Sequence, residues 1–261
     1  MSKDTLQQTQ YKILLLGEVC QDVYVFGDTS RLSPEAPVPV LKKTRKEYKQ
    51  GMAGNVYQNI KSISANSSIN FLSNDIKNIK KIRFIDEKSK YQIMRYDIEK
   101  DLKAFQEKDI IEEDYDVIVI SDYQKGFLKS ESIKAICERF KNSKIFVDTK
   151  KKNLECFKNC VIKVNESESK EIFNLNESVE LIVTLGSDGC VYNEKLYPVE
   201  KVDVYDVCGA GDVFLASLAV SWLETKCLEK SIENANKCAS LSVTKLGCYT
   251  VKRKEYENIC F

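Results

Sequence analysis

The sequence predicts an α/β fold: a three-layer α/β/α sandwich with a mostly parallel sheet and a small β lid. Three observations predict it. Short apolar, β-branched runs recur along the chain and read as buried parallel strands. Helical patterns lie between them, and strand–helix alternation argues for a sheet covered on both faces. The turn Asp206-Val-Cys-Gly-Ala-Gly-Asp212 opens directly into the apolar, helix-forming run 213–222. A small-residue turn at a helix head gathers free N–H groups and the positive helix end, which makes an anion site.

Composition bounds the function. The chain has 261 residues, 43% hydrophobic and 30% charged, enough to bury a sizeable core in one large or two small domains. A net charge of +1 implies neither nucleic acid nor an anionic membrane as partner. No apolar run reaches membrane-spanning length. The absence of His removes imidazole chemistry. The ten cysteines lack a Cys-x-x-Cys pair, which argues against zinc, and they read as reduced, mostly buried thiols.

In chain order, residues 1–10 form a polar tail without a signal-peptide core, so a cytoplasmic location is expected. A single domain spans 11–261, beginning with the strand 12–16. Residues 19–41 contain Pro34, Pro37 and Pro39 and read as extended. Residues 81–98 show partial alternation at Ile82 and Phe84, then Tyr91 and Ile93, and less regularly Met94 and Tyr96. Together these predict antiparallel lid segments at about 19–44 and 81–98. Strands follow at 116–120 and 144–147, with a helix over 130–140 between them. Ser130 is its candidate N-cap, and Ile133, Ile136, Cys137 and Phe140 share a face. Strands at 161–164 and 181–184 and a helix over 231–245 complete the pattern.

Polar residues cluster after the strands: Gly17, Ser121-Asp122, Asp148-Thr-Lys150, Asn165-Glu-Ser-Glu168 and Gly186-Ser-Asp-Gly189. In open α/β sheets the ligand crevice lies outside the carboxyl ends of the strands. These loops therefore converge near Asp212, although strand-to-helix loops are polar anyway. A carboxylate among anion-binding amides suits a site that holds a phosphoryl group and deprotonates a hydroxyl. A plain turn with a dipole-suited Asp is the alternative.

The turn resembles the Asp-Thr-x-Gly-Ala-Gly-Asp signature of the PfkB, or ribokinase-like, carbohydrate kinases, with Val207 in place of Thr. Asn165-Glu-Ser-Glu168 resembles the Asn-x-x-Glu motif of that family, and Gly51-Met-Ala-Gly-Asn55 resembles its substrate loop. Asp22 stands where these kinases keep a sugar-binding Asp. The N-terminal run 17–24, followed by Gly27-Asp-Thr-Ser-Arg-Leu-Ser-Pro-Glu-Ala-Pro-Val-Pro-Val40, is similar to the kinase domain of ADP-heptose synthesis enzymes. Ser121-Asp-Tyr-Gln-Lys-Gly126, Val147-Asp-Thr-Lys150, Val183-Thr-Leu-Gly-Ser-Asp-Gly189, Ala235-Asn236 and Lys245-Leu-Gly247 extend the resemblance over most of 11–252.

The resemblance implies a ribokinase-like fold and ATP-dependent phosphorylation of a sugar. The closest family group phosphorylates the anomeric hydroxyl of D-glycero-β-D-manno-heptose 7-phosphate. Asp212 would act as base, with the amides of Gly209, Ala210 and Gly211 holding the transferring group. Asn165, Glu166, Ser167 and Glu168 fall on the cofactor side, with Asn165 and Glu168 orienting Mg²⁺ through waters. Their spacing also fits a capping box. Thr184, Gly186, Gly189 and Asn236 are candidate contacts to ATP, and Lys150 to its phosphates; a tight turn, a solvent-facing helix residue and a solvated Lys are the alternatives. Asp22, Gly51 and Asn55 would meet the sugar, and Arg31 its phosphate. A homodimer through the lid is also expected.

The chain departs from the pattern at three places. Met52 replaces the second Gly of the substrate loop, and Glu18 stands where Asp is usual. Residues 64–80 are shorter than in the family and are expected to lack a strand–helix portion. No nucleotidylyltransferase segment follows, and without His its His-x-Gly-His motif has no place here, so at most the kinase half is expected. Phosphorylation of a different sugar, or binding without catalysis, stays open. A NAD-linked dehydrogenase is disfavoured because the first strand ends in Gly17-Glu-Val-Cys20, without Gly-x-Gly-x-x-Gly.

Overall fold

Alternation along β1 (Tyr11–Gly17) sends Ile13 and Leu15 into one buried cluster and Leu14 and Leu16 into the other. A strand apolar on both faces needs a helix layer on each side, and both are present. The computed structural model describes residues 10–64, 66–111 and 114–260. The predicted tail lies, apart from Gln10, outside the described residues.

The chain continues through β2 (Val19–Leu32), β3 (Pro39–Met52), α1 (Ala53–Ile63), β4 (Ser67–Ser73), β5 (Ile79–Asp86) and β6 (Gln92–Glu99). Next come β7 (Val117–Asp122), α2 (Ser130–Arg139), β8 (Lys144–Thr149), β9 (Cys160–Asn165) and the single turn α3 (Glu166–Ser169). The C-terminal part holds β10 (Glu180–Thr184), β11 (Cys190–Tyr192), β12 (Lys195–Tyr197), α4 (Ala210–Thr225), α5 (Leu228–Val243) and α6 (Arg253–Cys260).

The main sheet has the order β12-β11-β10-β9-β8-β7-β1-β4, parallel from β4 to β10 and antiparallel at β11 and β12. Helices α1, α4, α5 and α6 cover one face and α2 the other. This is the three-layer α/β/α sandwich the sequence predicts. Helix α4 is buried nearly all round, from Asp212 to Ser221, and its apolar sequence suits that central place.

The lid is a second sheet of order β3-β2-β5-β6. Its strands run beyond the ends read from the sequence; β3 continues to Met52 and feeds α1 directly. Residues 64–80 do contain a strand, β4, which closes the edge of the main sheet beside β1. Only a 3₁₀ turn (Ile76–Asn78) separates it from the lid. No α-helix intervenes, and the strand that was expected to be lacking is present. Among the described residues no helix is long and apolar enough to cross a membrane.

Candidate active site

The N-terminus of α4 forms the floor of the site. Gly209 has φ 79°, a left-handed conformation that glycine adopts without strain, and it turns the chain into the helix. A Cβ at Gly209 would lie 2.6 Å from Asn55 Nδ2, and one at Gly211 would lie 2.8 Å from Lys163 Nζ. Gly209 is therefore favoured by its positive φ as well as by close approach, and a side chain at Gly211 would displace the Lys163 ammonium.

Asp212 follows in the first turn and is 3% exposed. Its Oδ1 accepts from the Tyr123 hydroxyl at 2.8 Å and its Oδ2 from Asn55 Nδ2 at 3.1 Å. Burial pushes its carboxyl up to about 6, while the two hydrogen bonds oppose the shift. Asp212 is thus ionised at neutral pH but close to its titration point, a condition that suits a proton acceptor. Beside it, buried Lys163 pairs with Asp148 at 2.6 Å, and Asp148 Oδ1 has no hydrogen-bond partner.

Tyr123 is held by Glu18. The fully buried Glu18 carboxylate accepts from the backbone N–H groups of Tyr123 at 2.8 Å and of Lys125 and Phe127 at 3.2 Å. The longer reach of Glu over Asp is used to clamp this loop. Sequence reasoning missed Tyr123, although it lies in the quoted Ser121-to-Gly126 string.

The inner face of the lid supplies the opposite wall. Register pairs Asp22 with Lys49 and Lys81, and Tyr24 with Arg83, so these residues share one face. The Arg83 guanidinium is ion-paired with buried Asp22. A Cβ at Gly51 would lie 2.0 Å from Asp22 Oδ2, so only glycine fits there. Lys81 and Lys150 both stand over the Tyr123 ring, at 5.5 and 5.8 Å. Asp22 connects to the turn through Cys248, whose Sγ is 3.6 Å from Asp22 Oδ2 and next to Gly209.

Arg31 is not part of this wall. Arg31 sits exposed near the far end of β2, paired with Val40, beyond register irregularities at Phe26/Gly27 and Asp28/Arg31. Nine residues of strand at ~3.3 Å each set an upper bound of roughly 30 Å on its separation from Asp22. Arg83 is the guanidinium at the site. The apolar alternation at Ile82 and Phe84 obscured it, because Ile79, Lys81, Arg83 and Ile85 form the inward face and the residues between them the outer one.

A cavity of about 340 Å³ opens on the other side of the turn, lined by Thr184, Gly186, Gly189, Ala210, Gly211 and Asn236 among others. Asn236 is buried and donates to the Tyr197 carbonyl at 2.9 Å, so it is not a solvent-facing helix residue. Asn165 and Glu168 form the reciprocal capping box at the head of α3, each side chain accepting from the other backbone N–H at 2.8 Å. Glu168 is also ion-paired with Lys150, while Glu166 and Ser167 are exposed. Among the described residues no group of three or more His, Cys, Asp or Glu side chains is arranged to hold a metal.

The sequence pattern of the pfkB family carbohydrate kinases matches residues 58–255. The bifunctional protein HldE of Campylobacter jejuni strain RM1221 is 32% identical over 96% of the chain, and that of Haemophilus influenzae strain PittEE is 29% identical over 99%. The chain spans 65% of the length of each. Ribokinase from Thermotoga maritima superposes with a TM-score of 0.70 at 20% identity, covering 95% of this chain and 99% of that one. Phosphofructokinase-2 from Escherichia coli, in complex with potassium, gives 0.71 at 16% identity, covering 96% and 98%. These two likenesses concern the fold.

Proposed function

The chain belongs to the pfkB family of carbohydrate kinases, and on that premise we propose that it transfers the γ-phosphoryl group of ATP to the anomeric hydroxyl of D-glycero-β-D-manno-heptose 7-phosphate. The observation that carries this reading is Asp212: a buried carboxylate at the head of α4, both oxygens held, with its carboxyl raised to about 6. Asp212 takes the proton from the attacking hydroxyl, a role worth roughly 10²–10⁴-fold in rate. The α4 N-terminus, with Gly209 and Gly211, stabilises charge on the transferring group. Asp22 orients the sugar, and Arg83 and Lys81 hold its anionic end in place of Arg31. ATP occupies the cavity lined by Thr184, Gly186, Gly189 and Asn236.

Asn165 and Glu168 are the candidate holders of Mg²⁺. Their donor set fits Mg²⁺ held through waters beside nucleotide phosphates, since each oxygen keeps lone pairs beyond its capping bond. The ion, when bound, neutralises phosphate charge. The choice of heptose rests on the resemblance of the 27–40 string. The apolar side chains exposed on the lid fit a homodimer.

The test is ADP release with ATP, Mg²⁺ and a panel of sugar phosphates, for the wild type and Asp212→Asn. Turnover fastest on the heptose 7-phosphate and lost in the variant is expected. No turnover on any sugar would sink the kinase reading. It would favour a binding relative without catalysis, a reading that the short 64–80 stretch and Met52 motivate.

A further inference from the structure

Ten thiols are reduced in this chain, and two of them meet at the junction of the turn and the lid. Cys208 Sγ lies 3.6 Å from Cys248 Sγ. Cys208 immediately precedes Gly209 and is partly exposed; Cys248 is buried against Asp22. Arg83 Nη2 lies 3.6 Å from Cys208 Sγ. The hydrogen bond from Cys248, with Arg83 helping, pulls the Cys208 thiol below its usual range, while the Cys248 thiol is pushed up. A thiol whose ionisation is favoured beside a guanidinium, with a second thiol in reach, is the arrangement of an oxidisable pair.

We propose that Cys208 and Cys248 form a dithiol site that a hydroperoxide converts to a disulfide, perturbing Asp22 and Arg83 on the sugar side of the cleft. The Cys208 thiolate attacks hydrogen peroxide; an S–O bond forms, the O–O bond breaks and water leaves after protonation. The Cys248 sulfur then attacks the Cys208 sulfenic acid; the S–S bond forms, the S–O bond breaks and a second water leaves. Two thiols lose two electrons and one peroxide becomes two waters.

The consequence is geometric. A disulfide brings the sulfurs from 3.6 Å to about 2.05 Å. That bond replaces the thiol contacts to Asp22 and Arg83 with a disulfide, and it ties the 206–209 turn to the 247–249 segment. Asp206 already links these segments, accepting from the backbone N–H of Cys208 at 2.9 Å and of Gly247 at 2.8 Å, so the covalent bond needs no long excursion. A second close pair, Cys137 and Cys160 at 3.5 Å, is buried in the core beneath α2 and supplies an internal comparison.

The experiment treats the reduced, full-length protein with hydrogen peroxide, maps cysteine peptides by mass spectrometry, and follows ADP release in parallel. The expected result is a Cys208–Cys248 cross-linked peptide before any Cys137–Cys160 product, an at least tenfold fall in turnover, and recovery with a thiol reductant. Cys248→Ala, judged against its own untreated rate, keeps that rate under peroxide. Peroxide that leaves both cysteines as thiols, or oxidises Cys208 without cross-linking, overturns the site. A full cross-link with unchanged turnover overturns the effect on the sugar side. Should the reduced protein turn over no sugar, the kinase reading fails by itself, and the peptide map still decides the dithiol site.

Discussion

The Tyr123 hydroxyl donates to Oδ1 of Asp212 at 2.8 Å, linking the loop after β7 to the head of α4. A hydrogen bond to a carboxylate favours the ionised form and so holds its pKa down. Tyr123→Phe removes that bond and leaves the buried desolvation in place. The pH–rate profile of the wild type should rise to a plateau with a midpoint near 6, the position to which burial raises Asp212. In Tyr123→Phe the midpoint should move alkaline by on the order of one unit, with the rate recovering at high pH. A uniform loss of rate at every pH would make Tyr123 a packing residue only.

Asp212 also links stability to pH. Its folded pKa of about 6 lies above the ~3.9 of an unfolded Asp. The folded state therefore holds the proton more tightly, and this contribution is fully present below about pH 4 and lost as pH rises through about 6. Asp212→Asn does not titrate, so other groups cancel in the comparison. The unfolding free energy of the variant minus that of the wild type should grow by about 1–3 kcal/mol between pH 4 and 7.5. Urea titrations at several pH values measure it, and a constant difference would mean Asp212 titrates as an ordinary carboxylate.

Arg83 and Arg31 separate two views of the substrate phosphate. Arg83→Lys keeps a charge near Asp22 and loses the planar fork, so KM for the sugar phosphate should rise at least tenfold, on the order of 1.4 kcal/mol. Arg31→Ala changes an exposed side chain at the far end of β2 and should stay within about twofold. Steady-state kinetics on both variants decide, and the reverse ranking would return the phosphate to Arg31.

The buried parallel strands were legible because a strand covered on both faces is mostly apolar, with polar residues such as Lys163 and Asp148 admitted as a pair; β1, β7, β8, β9 and β10 all read directly. β4 was hidden because an edge strand, Ser67-Ser-Ile-Asn-Phe-Leu-Ser73, carries serines and an asparagine beside its apolar residues. β11 and β12 are three residues each, too short to show a period. At the site, the turn and Asp212 were legible from local chemistry. Arg83 was not, since β5 is half-exposed on both faces and its apolar phase does not mark the inside. Tyr123 was hidden because its partner Asp212 is distant in sequence and only the sheet order brings them together.

The lid leaves Tyr48, Tyr91, Met94 and Tyr96 each more than half exposed. Aromatic and Met side chains grouped on one small sheet favour association over hydration. Sedimentation at micromolar concentration should give a dimer, and the double variant Met94→Glu, Tyr96→Glu a monomer with an unchanged circular dichroism spectrum. A monomeric wild type would remove the lid as an interface.

Met52 carries the strain of the lid-to-helix junction. It sits at φ 59°, ψ −136°, a region used almost only by glycine, and it is the N-cap of α1. Its side chain is 3% exposed and packs with Cys20 and Ile79. Met52→Ala removes that packing and keeps the strained backbone, for a loss of about 2–5 kcal/mol. Met52→Gly removes the same packing and also releases about 1–3 kcal/mol of backbone strain. Glycine normally costs up to about 1 kcal/mol more than alanine inside a helix, but it is well tolerated at an N-cap. The order here should therefore be inverted, with the glycine variant melting above the alanine variant in calorimetry. The alanine variant melting higher would mean that this junction holds no strain worth relieving.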